Sequence, residues 1–321
     1  MAGEEGKNLK KLVVIAVGGN SLVMDEEHQS VADQYAAVVA TSRHIVALVE
    51  GGYKVVITHG NGPQVGFILL RSEIARKRVH TVPLDSCVAD TQGAIGYNFQ
   101  MALYNELKRC GLKVPVATIV TQVVVDRHDP AFKNPAKPIG FFYPKDEAEE
   151  RISHDGWEMV EDSGRGWRRV VASPAPKEII EIDAIKKLVS EGAIVIAAGG
   201  GGIPVVRDTR GNLHGVEAVI DKDYASALLA SKLNASVFLI STAVEKVCLN
   251  FGKPNEKPLD KADLKSLKRY LNGGHFKAGS MLPKIKAIIS FLEHGGKKAI
   301  ITDPNHLGLA IAGKAGTHIS R

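Results

Sequence analysis

Cysteine is scarce in this 321-residue chain: Cys87, Cys110 and Cys248 stand far apart and are odd in number. They offer neither a metal-ligand spacing nor a disulfide framework, so a reducing, cytoplasmic setting is expected. No run of about 18 apolar residues occurs, and no membrane-spanning helix is expected. The first eleven residues are polar and charged and lack the apolar stretch of a secretory signal, which also favours the cytoplasm. There is no HExxH, no CxxC, and no His/Cys or Ser/His/Asp constellation that would suggest hydrolysis. No repeat of fixed period is present. The usual nucleotide fingerprints are missing as well. Gly60-Asn-Gly-Pro-Gln-Val-Gly66 has one residue too many before its last glycine for a dinucleotide motif. Gly308-Leu-Ala-Ile-Ala-Gly313-Lys314-Ala315 approximates a P-loop but lacks the Ser/Thr that would hold Mg²⁺.

What is present is an ordinary globular balance, 45% hydrophobic and 24% charged, enough to bury one large core or two closely joined ones. The formal net charge of +6 suits anionic substrates as well as nucleic acid. The densest basic run, residues 71–80, contains Arg71, Arg76, Lys77 and Arg78 without interleaved aromatics. It reads as a solvated helix end or loop, so no nucleic-acid partner is expected.

The chain opens with an uninterrupted β-branched strand at residues 12–17, ending in Gly18-Gly19-Asn20. Continuous apolar strands belong in sheets covered on both faces. A helix is expected over residues 31–49, stopped by Gly51-Gly52, and a strand over 54–58 runs into His59-Gly60-Asn61-Gly62-Pro63. Further elements are a helix at 91–109, a strand at 114–125, a helix at 178–191 and a strand at 193–198 ending in Gly199–Gly202. A strand-like run at 218–220, a helix through Leu233, a strand at 236–241, a helix from Ser280 to His294 and a strand at 298–302 complete the pattern. The alternation predicts an α/β fold with a largely parallel sheet. Residues 126–176 break the texture. They are rich in proline, glycine and charge, predict a hairpin around residues 162–166, and read as an excursion that covers a site.

Three predicted strands end in glycine turns, and in a parallel sheet those ends share the edge where ligands bind. Glycine amides approach oxyanions closely, and helix N-termini add positive potential. Lysines fill the charge requirement. Lys222 lies between Asp221 and Asp223 before a helix; Asp223 could cap that helix or hold the ammonium. Lys284 falls in the first turn of a helix with Ser280 as a plausible N-cap, an unfavourable place for a cation unless a phosphate sits there. Lys137, between two prolines, projects from a rigid loop. Such an array suits phosphoryl transfer, which needs positioning and charge stabilisation more than acid–base groups.

The segments Val17-Gly-Gly-Asn20, Gly60-Asn-Gly-Pro-Gln-Val-Gly66, Asn134-Pro-Ala-Lys-Pro-Ile-Gly140, Gly200-Gly-Gly-Ile-Pro204, Ala218-Val-Ile-Asp-Lys-Asp223 and Ala278-Gly-Ser-Met-Leu-Pro-Lys284 together resemble carbamate kinases of the amino acid kinase superfamily. They occur in the family's order and span nearly the whole chain. The resemblance implies a three-layer α/β/α sandwich over residues 1–321 with a small protruding lid subdomain at 126–176, usually as a homodimer. It implies reversible transfer between ATP and carbamate, giving ADP and carbamoyl phosphate, with Mg²⁺ held mainly by the ATP phosphates. Lys222 and Lys284 would then neutralise the transferring phosphoryl group, Asp223 would organise them, and Lys137 would reach the acceptor. Gly18, Gly19, Asn20, Gly60, Asn61, Gly62, Gly200 and Gly201 would supply N–H donors. Ser241, Thr242, Ala243, Val244, Met281 and Pro283 would lie near the nucleotide. A kinase for another small carboxylate or phosphonate, and a non-catalytic nucleotide-binding regulator, are the alternatives. Asp90 and Asn98 are polar where the family is apolar, and Cys248 replaces a common aromatic, which bears on packing and nucleotide affinity.

Overall fold

Val13 through Val17 are all buried, yet alternate side chains enter two different cores. Val14 and Ala16 pack in a cluster with the helices Lys222–Lys232 and Met281–Glu293, through Ala225, Leu229, Ile285 and Ile288. Val13, Ile15 and Val17 face the helices Val31–Glu50 and Leu84–Arg109, through Val38, Ile45, Ile95, Phe99 and Leu103. A strand buried on both faces has no polar side to show, which is why its sequence reads as an unbroken apolar run. The computed structural model describes residues 11–19, 22, 27–162, 164–277 and 279–321.

Among the described residues the central sheet has eight strands, in the order Lys261–Asp263, Thr317–Ser320, Lys298–Thr302, Val237–Ser241, Leu12–Val17, Lys54–His59, Ile194–Ile196 and Val116–Thr118. The last six run parallel to one another, whereas Thr317–Ser320 pairs antiparallel with Lys298–Thr302 and parallel with Lys261–Asp263. Val17 is in register with both His59 and Ser241, so three strand ends finish level on one edge. The helix Val31–Glu50 starts with a capping box: Ser30 Oγ accepts the Asp33 N–H, and the Asp33 carboxylate accepts the Ser30 N–H. With helices on both faces, the expected three-layer α/β/α arrangement is the one observed.

Several elements differ from the sequence expectation. The expected strand at 114–125 is two strands: Val116–Thr118 closes the central sheet, whereas Gln122–Val125 pairs with Ile203–Arg207 in a second, four-stranded sheet. Between them Gln92, almost fully buried, accepts the Thr121 N–H at 2.7 Å and donates to the carbonyls of Thr121 and Gly199 at 3.2 and 3.0 Å. That bend is fixed by a partner on another helix, which no local pattern encodes. The expected helix at 178–191 begins as the strand Pro176–Ile179, and only Ile182–Ser190 is helical. The helix expected from 91 begins at Leu84, directly after Pro83. Helices Gly62–Ala75 and Leu264–Asn272 have no counterpart among the elements expected from sequence. The P-loop-like run at 308–315 lies on the short helix Leu307–Ile311 and the turn after it.

Within residues 126–176 a separate antiparallel sheet forms from Lys137–Tyr143, Trp167–Val171 and Met159–Glu161, with the helix Lys145–Asp155 beside it. The expected hairpin is its Met159–Glu161/Trp167–Val171 pair. Arg151 ties this excursion to the main body. Its Nη1 donates to Glu73 on the helix Gly62–Ala75 and to Asp155, each at 2.8 Å, while its guanidinium stacks over Trp157. Val65, Leu84, Cys87, Ile139 and Val171 form a small apolar cluster at the same junction. Asp90 is exposed, so its carboxylate stays in water; Asn98 is largely buried, and Cys248 is half-buried on the hairpin strand Val247–Leu249.

Candidate active site

The glycine turns meet where the strands end. A Cβ on Gly60 would lie 3.3 Å from the Gly19 nitrogen, and one on Gly18 would lie 2.8 Å from the Ser241 carbonyl oxygen. Gly200 takes a left-handed φ of 67°, and a Cβ there would fall 2.1 Å from Asn61 Nδ2. Only glycine satisfies both the dihedral and the approach. Gly19 and Gly62 differ: among the described residues a Cβ on either would meet nothing within 4 Å, and both border an open cavity of about 300 Å³.

Opposite these turns, the helix Lys222–Lys232 starts with Asp221 as its cap, accepting the Asp223 N–H at 2.9 Å. The cap is therefore Asp221, not Asp223. Asp223 is 3% exposed and receives two ammonium groups: Lys222 Nζ at 2.7 Å from Oδ1, and Lys284 Nζ at 3.0 Å from Oδ2. Burial alone would push its carboxyl pKa up, but the two ammoniums and their hydrogen bonds outweigh it and hold the group ionised, below the usual carboxylate range. Lys284 comes from the first turn of the helix Met281–Glu293, where Ser280 makes no side-chain capping bond. Two lysines at two helix N-termini oppose the backbone dipoles. One shared carboxylate offsets the cost and leaves the trio with a net positive charge facing the cavity.

Lys137 opens the strand Lys137–Tyr143 rather than sitting in a loop, and its Nζ lies 2.9 Å from Asp221 Oδ2 at the cavity mouth. Arg168, which the sequence reading did not single out, joins the same wall. It donates to the Gly140 carbonyl at 3.2 Å and to Asp162 at 3.3 Å, and its buried Nε has no partner among the described residues. Its signal was the arginine pair within a short strand, where alternation sends one of the two inward.

The cavity thus gathers Lys137, Lys222, Asp223, Lys284, Gly19, Gly60, Asn61, Gly62, Gly200 and Pro283. Gly18 and Gly201 stand behind its wall, the latter against the Ile220 carbonyl. Ser241 is fully buried beside Gly18. Thr242, Val244 and Met281 are half-buried and Ala243 is exposed, away from the cavity lining. Asn20 lies outside the described residues. A larger cleft of about 630 Å³ opens where the strands begin, around Lys11, Asn234 and Lys298, far from these groups.

His59 lies 1% exposed under the turns, stacked on Phe99, with Nδ1 2.9 Å from the Gly60 carbonyl it can donate to. Burial, aided by the nearby Lys222 charge and only partly opposed by the Gly60 hydrogen bond, lowers its pKa from 6.5 to about 4. The unfolded chain therefore takes up this proton first on acidification. Stability present above pH 6.5 is lost progressively down to about pH 4, by up to about 3 kcal/mol. Denaturant titrations at several pH values should show a steeper loss in this window for the wild type than for His59→Gln. Parallel profiles would contradict the assignment.

Comparison with known proteins gives a consistent result. The profile of the Amino acid kinase family matches residues 11–303. The carbamate kinase-like protein YahI of Escherichia coli is 52% identical over 314 residues, covering 97% of this chain and 99% of that one. The carbamate kinase of Thermococcus kodakarensis is 48% identical over 315 residues, again 97% and 99%. Carbamate kinase from Giardia lamblia bound to AMP-PNP superposes with a TM-score of 0.92 at 42% identity, over 97% of this chain and 99% of that one. Together with the lysine–aspartate trio and the glycine turns at the strand ends, these matches show that the chain belongs to the amino acid kinase family, within its carbamate kinase branch.

Proposed function

We propose that this protein is a carbamate kinase, moving a phosphoryl group reversibly between ATP and carbamate to give ADP and carbamoyl phosphate. The observation that carries the reading is Asp223 holding Lys222 and Lys284 at one wall of a small cavity that Lys137 overhangs. A transferring phosphoryl group spreads negative charge over its oxygens, and fixed cations and amide dipoles stabilise it without reorganising. Lys222 and Lys284 supply the charge. Asp223 pairs with both and aims them. Lys137 reaches the carbamate or phosphoryl oxygens, and the amides of the glycine turns, with Asn61 and Asn20, contribute donors. The adenosine end is assigned to Ser241–Val244 with Met281 and Pro283 alongside. Mg²⁺ would be held mainly by the nucleotide's phosphates, since Asp221 and Asp223 are each engaged by lysine ammoniums; when bound it adds charge neutralisation. Residues 126–176 act in this reading as a lid. A homodimer is part of the proposal, for which Tyr97 and Tyr104, exposed seven residues apart on one helix, offer a surface; mass in solution decides it.

A cavity of about 300 Å³ favours a small acceptor. The test compares donors: with ADP and Mg²⁺, carbamoyl phosphate should yield ATP far faster than acetyl phosphate. Equal rates would remove carbamate specificity and leave a broader carboxylate kinase.

A further inference from the structure

Asp221 has no part in the chemistry above, yet it touches both halves of the site. Its Oδ1 accepts the Asp223 N–H at 2.9 Å and caps the helix that begins with Lys222, while its Oδ2 accepts from Lys137 Nζ at 2.9 Å. Capping needs one acceptor oxygen and no charge; Asn or Ser serves as well. A carboxylate at the mouth of an anion-binding cavity repels the anion, so its charge calls for another reason. Lys137 supplies one. The excursion is already stitched here by backbone: Ala172 bridges to Ala218, and the Val219 N–H donates to the Ala172 carbonyl at 2.9 Å. These contacts place the Lys137 backbone, which pairs with Val171, but not the end of its side chain. A half-exposed lysine stem would otherwise sweep through many rotamers. An ammonium has three N–H donors, so one spent on Asp221 leaves two for the cavity.

We propose that Asp221 is the positioning residue for Lys137: one oxygen fixes the helix that carries Lys222, and the other fixes the lid ammonium above it. One carboxylate thereby sets the spacing between the two sides of the phosphoryl site. The inference rests on the carbamate kinase reading for its catalytic consequence, but not for the Asp221–Lys137 tie itself.

Asp221→Asn separates the two roles, because the amide oxygen can still cap the helix. In the absence of any substrate, mass spectrometry after brief acetic anhydride labelling should show Lys137 modified several-fold faster in Asp221→Asn than in the wild type. With ADP and carbamoyl phosphate, kcat should fall about 10- to 100-fold, the scale of an ångström-sized misplacement. KM for carbamoyl phosphate should hold or fall, since a repelling charge has gone. In a Lys137→Ala background the same substitution should cost nothing further. Unchanged labelling of Lys137, or an equal loss of kcat in both backgrounds, overturns the proposal. An inactive wild type with faster labelling in the variant would discard the carbamate reading and keep the tie. A variant that does not fold is replaced by Asp221→Ser, which keeps a capping oxygen and is read by the same labelling.

Discussion

Replacing Lys222 with alanine is expected to lower kcat by about a thousandfold or more, the range seen when a fixed charge or donor is taken from a phosphoryl or oxyanion site. The fold should survive. Lys222, Asp223 and Lys284 carry one net positive charge, and Lys222→Ala leaves Asp223 paired with Lys284 as a neutral couple. No buried charge is stranded, which is the circumstance that makes broken ion pairs strongly destabilising. The loss should fall on kcat more than on the KM for ADP, because the ammonium counts most where charge develops in the transition state. Steady-state kinetics beside a thermal melt separate these effects. Wild-type kcat in a folded variant would remove Lys222 from the mechanism.

Gly200→Ala should damage stability as well as turnover. The new Cβ meets two independent penalties: a left-handed backbone, and Asn61, whose Nδ2 and Cγ lie 2.1 and 2.5 Å from it. Asn61 cannot swing aside freely, because its Nδ2 donates to Thr91 Oγ1 at 2.9 Å and that amide is nearly buried. Strain and overpacking together suggest a loss of about 2–4 kcal/mol. Whatever shift relieves the clash moves the Gly200 and Asn61 edge of the cavity, so kcat/KM should fall about a hundredfold. Chemical denaturation and initial rates check both arms. A variant that melts and turns over like the wild type would show that the turns need not touch.

Much of this candidate site is legible in the sequence. Gly18-Gly19, Gly60–Gly62 and Gly199–Gly202 each follow a buried strand, and parallel register brings those ends level, so proximity follows from chain direction alone. Lys284 is readable because a lysine in a helix's first turn calls for a nearby anion, a phosphate in that reading, and Lys222 because Asp223 stands beside it; Asp223 holding both lysines follows from the family resemblance. The finer division of labour is not legible there. Asp221 and Asp223 are two residues apart and chemically identical, and only the positions of Lys137 and Lys284 decide which caps and which pairs. The bend at residues 119–121 depends on Gln92, about thirty positions away in sequence, and the helix Gly62–Ala75 was masked by the glycine and proline that start it. Arg168 is hidden in the sequence for a related reason. Its role depends on a sheet formed within residues 126–176, whose direction toward the cavity is set by tertiary contacts such as Arg151–Glu73.

Phosphorus NMR on the purified protein with Mg²⁺, ADP and carbamoyl phosphate tests the central claim most directly. Direct transfer predicts that the carbamoyl phosphate resonance declines while the three ATP resonances rise in step, with little inorganic phosphate beyond spontaneous decay. Enzyme-dependent release of inorganic phosphate without ATP, or no change in a sample that binds ADP, would contradict phosphoryl transfer at the Lys222–Asp223–Lys284 site.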